Sequence, residues 1–119
     1  MPDICVHVDF ARLTSAGFGT ISGPKTAGLR AGQIIAISDD VAIVGLPGEI
    51  FVELGLAIKK ASPFPHTLIA ELANGSIGYV PNREAYPQGN YEVVSARGEA
   101  GSGEKLVEAA LKLLGEVKE

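Results

Sequence analysis

The chain has 119 residues, 46% of them hydrophobic, and a formal net charge of −4. This composition favours a folded globular protein over a disordered one, and the small negative charge argues against nucleic acid or an anionic membrane as a partner. The single cysteine, Cys5, excludes an internal disulfide, and no apolar run approaches the ~20 residues of a membrane-spanning helix.

The N-terminal third of the chain combines a strand pattern with a glycine-rich stretch. Its first ten residues lack the basic segment of a secretion signal, so we expect a cytoplasmic protein. Ile4, Val6 and Val8 alternate with polar residues, which predicts a β-strand. Residues 11–32 are rich in glycine and predict a long loop. Residues 1–32 therefore read as a strand plus a loop of unclear origin.

The middle of the chain predicts two strands and a helix. The apolar runs 34–38 and 41–46 predict short strands on either side of a turn at Asp39 and Asp40. Apolar residues then recur at helical spacing up to a Ser-Pro step, which predicts a helix with Glu49 in its first turn.

The last third of the chain predicts two strands, an irregular segment and a helix. Residues 66–73 predict a strand, and residues 74–91, an apparent loop, hold all three tyrosines. Residues 91–96 again predict a strand, and an apolar stripe predicts a C-terminal helix that Ser102 could cap. The whole pattern indicates an α/β or α+β fold, with a mixed sheet of about four to six strands and two main helices in a single domain over residues 1–119.

Few short motifs in the sequence indicate chemistry. The segment GEAGSGEK suggests a phosphate-binding loop, but Glu104 stands where that loop needs lysine, so we favour a helix start. His7 and His66 form no recognisable metal or catalytic motif, and structural roles are favoured for both. Glu49 follows a strand end, where α/β sheets bind ligands, but on the residues alone we favour an acid that complements a helix dipole.

Longer segments carry a family resemblance. They are the PGE at 47–49, the block NGSIGYVPNREAY at 74–86, the NYEV at 90–93 and the tail GSGEKLVEAALKLL at 101–114. With these segments, residues 33–115 resemble the C-terminal part of the catalytic region of neutral/alkaline, non-lysosomal ceramidase-like proteins, particularly the bacterial ones.

The resemblance implies a fragment or truncated homologue of a zinc-dependent amidohydrolase. It implies that Glu49 and Tyr79 are zinc ligands and that Tyr91 stabilises the reacting amide of a lipid substrate. The two histidine ligands of the family lie upstream and match no residue here. We therefore expect zinc binding and activity only if the missing N-terminal catalytic portion supplies them. The alternative is a non-catalytic module that forms homo-oligomers or binds a partner.

Overall fold

A four-stranded mixed sheet forms one layer of the protein. The computed structural model describes the backbone of the strand Ile4–His7 and, beyond it, residues 33–73 and 76–118. In the order of the sheet, the first strand pairs antiparallel with the second, and the second pairs antiparallel with the third. The fourth strand lies parallel to the third. In sheet order these strands are β1 (Ile4–His7), β2 (Gln33–Ala36), β3 (Val41–Gly45) and β5 (His66–Ala70).

A second, two-stranded sheet pairs β4 (Glu49–Ile50) with β6 (Tyr79–Val80) in parallel. Helix α1 (Val52–Ala61) connects β4 to β5. A 3₁₀ helix (Arg83–Gln88) and two α-helices complete the chain after β6. They are α2 (Tyr91–Ser95) and α3 (Ser102–Lys118).

One hydrophobic core lies between the larger sheet and helices α1 and α3. Because side chains alternate across a strand, Ile34 and Val44, which are paired in register, point to the same face of the sheet and are fully buried. Leu54 and Ile58 of α1 recur at a spacing of four residues and meet them from one side. The apolar stripe of α3 fills the rest of the core. Its buried hydrophobic residues are Leu106, Ala110, Leu113, Leu114 and Val117.

The structure confirms the predicted class in its mixed α+β form, with two main helices. The turn at Asp39 and Asp40 is also confirmed, and there the Ile37 N–H donates to the Val41 carbonyl over 2.9 Å. The predicted loop over 11–32 lies outside the described residues. No helix in the described part of the chain is long and apolar enough to cross a membrane.

The predicted strand over 91–96 is wrong, because residues 91–95 form helix α2. The Val94 N–H donates to the Asn90 carbonyl over 3.0 Å, and Tyr91 and Val94 project into solvent. β-branched residues favour strands only where a neighbouring strand pairs with them, and α2 has no such neighbour among the described residues.

Three element boundaries differ from the predicted ones. Glu49 lies in β4 and not in a helical turn, because its N–H pairs with the Gly78 carbonyl and α1 starts only at Val52. Strand β5 ends at Ala70, shortly before Leu72 takes a positive φ of 54°. Ser102 does not precede α3 but is its first residue.

Tight packing at the start of α3 makes Gly103 a sensitive position. An added Cβ there would lie 2.5 Å from Leu54 Cδ1 and 2.8 Å from the Pro81 carbonyl oxygen. We expect Gly103→Ala to lower the free energy of unfolding by about 1–3 kcal/mol, the usual cost of overpacking a core. Urea denaturation of the full chain measures this change.

Gly115 in the same helix is the matched control, because nothing lies within 4 Å of a Cβ added there. Gly115→Ala should raise the free energy of unfolding by up to about 1 kcal/mol through helix propensity alone. If Gly103→Ala were as stable as Gly115→Ala, the close approach of α3 to Pro81 would be wrong.

Candidate functional site

Strands β4 and β6 bring Glu49 and Tyr79 together. The two residues are direct partners in the parallel register. The Glu49 N–H donates to the Gly78 carbonyl over 2.9 Å, and the Phe51 N–H donates to the Val80 carbonyl over 3.1 Å. Paired residues of neighbouring strands project to the same face of a sheet. The carboxylate and the phenol therefore stand side by side.

Glycines permit this pairing where the chain leaves β3. A Cβ on Gly48 would lie 3.0 Å from the Gly78 carbonyl oxygen, so a larger residue would push the two segments apart. Gly78 itself has a φ of +85°, a conformation that L side chains rarely adopt. On the other side of β4, the Ile50 N–H donates to Glu71 Oε2 over 2.9 Å. The local backbone of the site is thus fixed by small residues and by one carboxylate.

Tyr91 completes the group. It lies at the start of α2, and its ring meets the ring of Tyr79 edge to face, with 5.9 Å between centroids and 77° between planes. Tyr91 is 70% exposed, so its hydroxyl can reach a molecule in solution. The structure therefore places all three sequence-predicted site residues, Glu49, Tyr79 and Tyr91, in one cluster. Their chemical roles stay predictions.

The charge of Glu49 dominates the electrostatics of the cluster. It raises the pKa of the Tyr79 phenol above its usual value, and burial, Tyr91 and Glu92 raise that pKa further. A cation between Glu49 and Tyr79 would reverse this effect, because it would favour a deprotonated phenol. A carboxylate and a phenol on adjacent strands are oxygen donors that fit a divalent cation such as zinc.

The described residues do not form a complete metal site. Within residues 33–73 and 76–118, no cluster of three or more His, Cys, Asp or Glu side chains could hold a metal ion. His66 pairs with Val41 at the start of β3, whereas Glu49 follows the end of that strand. His66 thus lies at the opposite end of β3 from Glu49, and its structural role stays a prediction.

Sequence reasoning missed the crevice beside Tyr79. Tyr86, Arg97 and Gly98 line it together with Tyr79. Tyr86 is half-buried, and its hydroxyl donates to the Gly98 carbonyl over 3.1 Å. No sequence pattern indicates this hydrogen bond, because Gly98 is twelve residues away in the loop before α3.

The fold belongs to the mixed α+β class, with a two-stranded parallel sheet beside a larger mixed sheet. No protein-family model matches the chain, and no curated protein matches it. Two solved structures match with TM-scores of 0.59 and 0.58.

The first is a ceramidase complexed with C2, 23% identical over 73% of this chain. The second is the neutral ceramidase from Pseudomonas aeruginosa, 18% identical over 94% of this chain. The aligned region spans 15% and 24% of those two chains, respectively. The chain is thus structurally similar to a part of neutral ceramidase.

Tyr86 gives a pH-dependent test of the crevice. Burial, Glu104 and Glu99 raise the pKa of the Tyr86 phenol in the folded chain. The neutral phenol therefore stabilises the fold fully at pH values below the ordinary phenol pKa of about 10. This stabilisation is lost as pH rises through the raised pKa of the folded chain. We expect Tyr86→Phe to lower the free energy of unfolding by about 0.5–1.5 kcal/mol at about pH 8, the worth of one hydrogen bond. Urea denaturation across the alkaline range should show this difference disappear.

Gln88, an exposed residue at the end of the same 3₁₀ helix, offers the control. Gln88→Ala removes an exposed side chain there and should leave the alkaline stability profile unchanged. A stability difference between the native chain and Tyr86→Phe that persists to the highest pH would contradict the assigned hydrogen bond.

Proposed function

We propose that this chain is a fragment or truncated homologue of a zinc-dependent, ceramidase-like amidohydrolase. One observation carries the proposal: Glu49 and Tyr79 are direct partners in the β4–β6 pair, and Tyr91 lies against Tyr79. The structural similarity to neutral ceramidase supports it at the level of the fold. The proposed substrate class, a lipid amide, is taken from the similarity to these two proteins, which are ceramidases.

Each residue of the cluster has a role in the proposed chemistry. Glu49 and Tyr79 would hold the metal through a carboxylate and a phenol oxygen. When bound, zinc would supply Lewis-acid polarisation of the amide carbonyl and a water activated for attack. Tyr91 would donate a hydrogen bond to the amide oxygen as negative charge develops on it. Its exposed position suits this role, since the substrate must reach its hydroxyl.

Two oxygen donors do not make a tight catalytic zinc site, which normally has three protein ligands and a water. We propose that histidines from polypeptide outside this chain, or from a partner chain, complete the site. The 119-residue chain by itself should therefore bind zinc weakly and should not hydrolyse an amide. A longer protein that contains this sequence and the missing ligands should do both.

Zinc titration followed by NMR tests the proposed ligands in the isolated chain. With ¹³Cζ-labelled tyrosine, the Tyr79 resonance should shift and saturate as zinc is added, whereas Tyr86 should not respond. Glu49→Gln keeps the shape of the side chain but removes its charge, and it should weaken the binding by at least about tenfold, or about 1.4 kcal/mol. Tyr79→Phe should abolish the binding.

Glu71 provides the matched control, because it is an exposed acid on the other side of β4 that meets Ile50 and not the tyrosines. Glu71→Gln keeps an acceptor oxygen for the Ile50 N–H and should leave zinc binding unchanged. The ligand assignment would be overturned by zinc shifts that survive Glu49→Gln, or by equal losses in Glu49→Gln and Glu71→Gln. In the longer protein, amide hydrolysis that persists in Glu49→Ala would contradict the proposed activity.

An apolar outer sheet face favours a second candidate function, an oligomerising module without catalysis. Ile35, Ile43 and Leu68 form a row across three strands, on the face opposite the core. Leu68 is 52% exposed, and Ile37 at the end of β2 is 47% exposed. Exposed apolar faces of this kind commonly bind another protein surface.

Sedimentation velocity tests this second candidate. We expect a dimer in which the outer faces are buried, and Leu68→Glu should convert it to a monomer because a charge cannot be buried unpaired there. Val52→Glu, which places the same charge on the exposed surface of α1, is the control and should remain dimeric. A monomeric native chain would exclude the candidate.

A further inference from the structure

We propose that Glu104 is a positioning residue for the tyrosine pair: from α3 it fixes the segment that joins Tyr79 to Tyr91. The proposal rests on the proposed function for the use of the pair, but its geometry is independent of zinc. Tyr91 follows Tyr79 by twelve residues, and the connecting segment consists of β6, the 3₁₀ helix and two short turns. The relative position of the two rings therefore depends on what holds this connecting segment.

The side chain of Glu104 reaches this segment directly. Its Oε1 accepts a hydrogen bond from the Arg83 N–H, at the first residue of the 3₁₀ helix, over 2.5 Å. The first N–H groups of a helix have no partner within the helix and need one from outside. Asn82, the residue before that helix, makes no side-chain capping bond. Glu104 thus supplies from a distant element what a capping residue would supply locally.

Gly103 and Gly101, close to Glu104 in sequence, also contact this segment. Pro81 is fully buried, and its carbonyl lies so close to Gly103 that no Cβ fits between them. The guanidinium group of Arg83 packs over Gly101, where an added Cβ would collide with it. Glu104, Gly103 and Gly101, at or just before the start of α3, therefore each contact a residue within 81–83. Residues 81–83 directly follow Tyr79 and Val80.

The second oxygen of Glu104 makes no comparable bond. Oε2 is buried and has no hydrogen-bond partner among the described residues. A buried carboxylate oxygen without a partner costs free energy, and an apolar side chain at this position would avoid that cost. What Glu104 provides in return is the bond to Arg83. We therefore assign it to the placement of the connecting segment and, through it, of Tyr79 and Tyr91.

Two pairs of variants of the full chain separate the bond from its surroundings. Glu104→Ala removes the acceptor, whereas Glu104→Gln keeps an acceptor oxygen. Arg83→Pro removes the donor at a helix position that tolerates proline, and Asn82 before it is already extended, with ψ 161°. Arg83→Ala keeps the N–H and loses only the guanidinium. Glu108→Ala, at an exposed acid one turn further along α3, controls for the loss of a helical carboxylate.

The readout is the NMR cross-relaxation between the rings of Tyr79 and Tyr91, assigned with Tyr79→Phe and Tyr91→Phe. It needs neither zinc nor substrate, so its result is separate from that of the zinc titration. We expect the ring-to-ring signal to be lost in Glu104→Ala and Arg83→Pro. It should be retained in Glu104→Gln, Arg83→Ala and Glu108→Ala, and all five chains should keep a folded amide spectrum.

Survival of the ring-to-ring signal in both Glu104→Ala and Arg83→Pro would overturn the proposal. Loss of the folded amide spectrum in either variant would also overturn it, because Glu104 would then hold the whole fold and not the tyrosine pair. Loss of the signal in Glu108→Ala would do the same, since any change of charge on α3 would then suffice.

Discussion

The parallel pairing of β4 with β6 is the constraint on which the candidate site depends. The pairing involves only two residues from each strand, yet it sets Glu49 directly beside Tyr79. So short a ladder has little stability of its own. It persists because each end is attached to a larger structure: β4 leads into α1, and β6 leads into the buried Pro81. The site is therefore a product of tertiary packing more than of its own hydrogen bonds.

Tertiary contacts also explain how Tyr79 and Tyr91 come together. Tyr79 lies in a strand and Tyr91 at the start of a short helix, and the rings nevertheless meet at 5.9 Å. A left-handed residue, Gly89 with φ 64°, ends the 3₁₀ helix and turns the chain back toward Tyr79. The 3₁₀ helix and α2 form an external layer, with no buried residue in either. Its position must then be set by specific contacts, which is the part that Glu104 and Tyr86 play.

Sequence reasoning predicted the elements that have strong hydrophobic periodicity. Helix α3 and strand β3 follow from their apolar patterns, because burial of one face or one stripe decides both. It was wrong for residues 91–96, where Val93 and Val94 favour a strand locally but no strand lies beside them. It was also wrong about the helical turn at Glu49, because the competing pairing with Gly78 is a contact across 29 residues. No local pattern encodes such a contact.

For the candidate site, too, one part could be predicted from the sequence and another part could be seen only in the fold. The identity of Glu49, Tyr79 and Tyr91 came from a family resemblance, and their proximity could be seen only in the fold. The role of Glu104 was not predictable from sequence, since its segment suggested a helix start and a failed phosphate-binding loop. A carboxylate in that context looks like a dipole-complementing acid of the first turn. Only the distance to Arg83 distinguishes it from one.

The charge of Glu49 bears directly on the role proposed for Tyr79. The negative charge of Glu49 makes ionisation of Tyr79 less favourable, which is the opposite of what a phenolate ligand needs. The raised pKa keeps the phenol neutral at pH 7, so the pair carries a single negative charge, and a cation beside it would favour the phenolate. A neutral phenol can also donate a hydrogen bond to a carboxylate, so the pairing is compatible with packing as well as with a metal. The proposed function therefore rests on Glu49 and Tyr79 together and on neither residue alone.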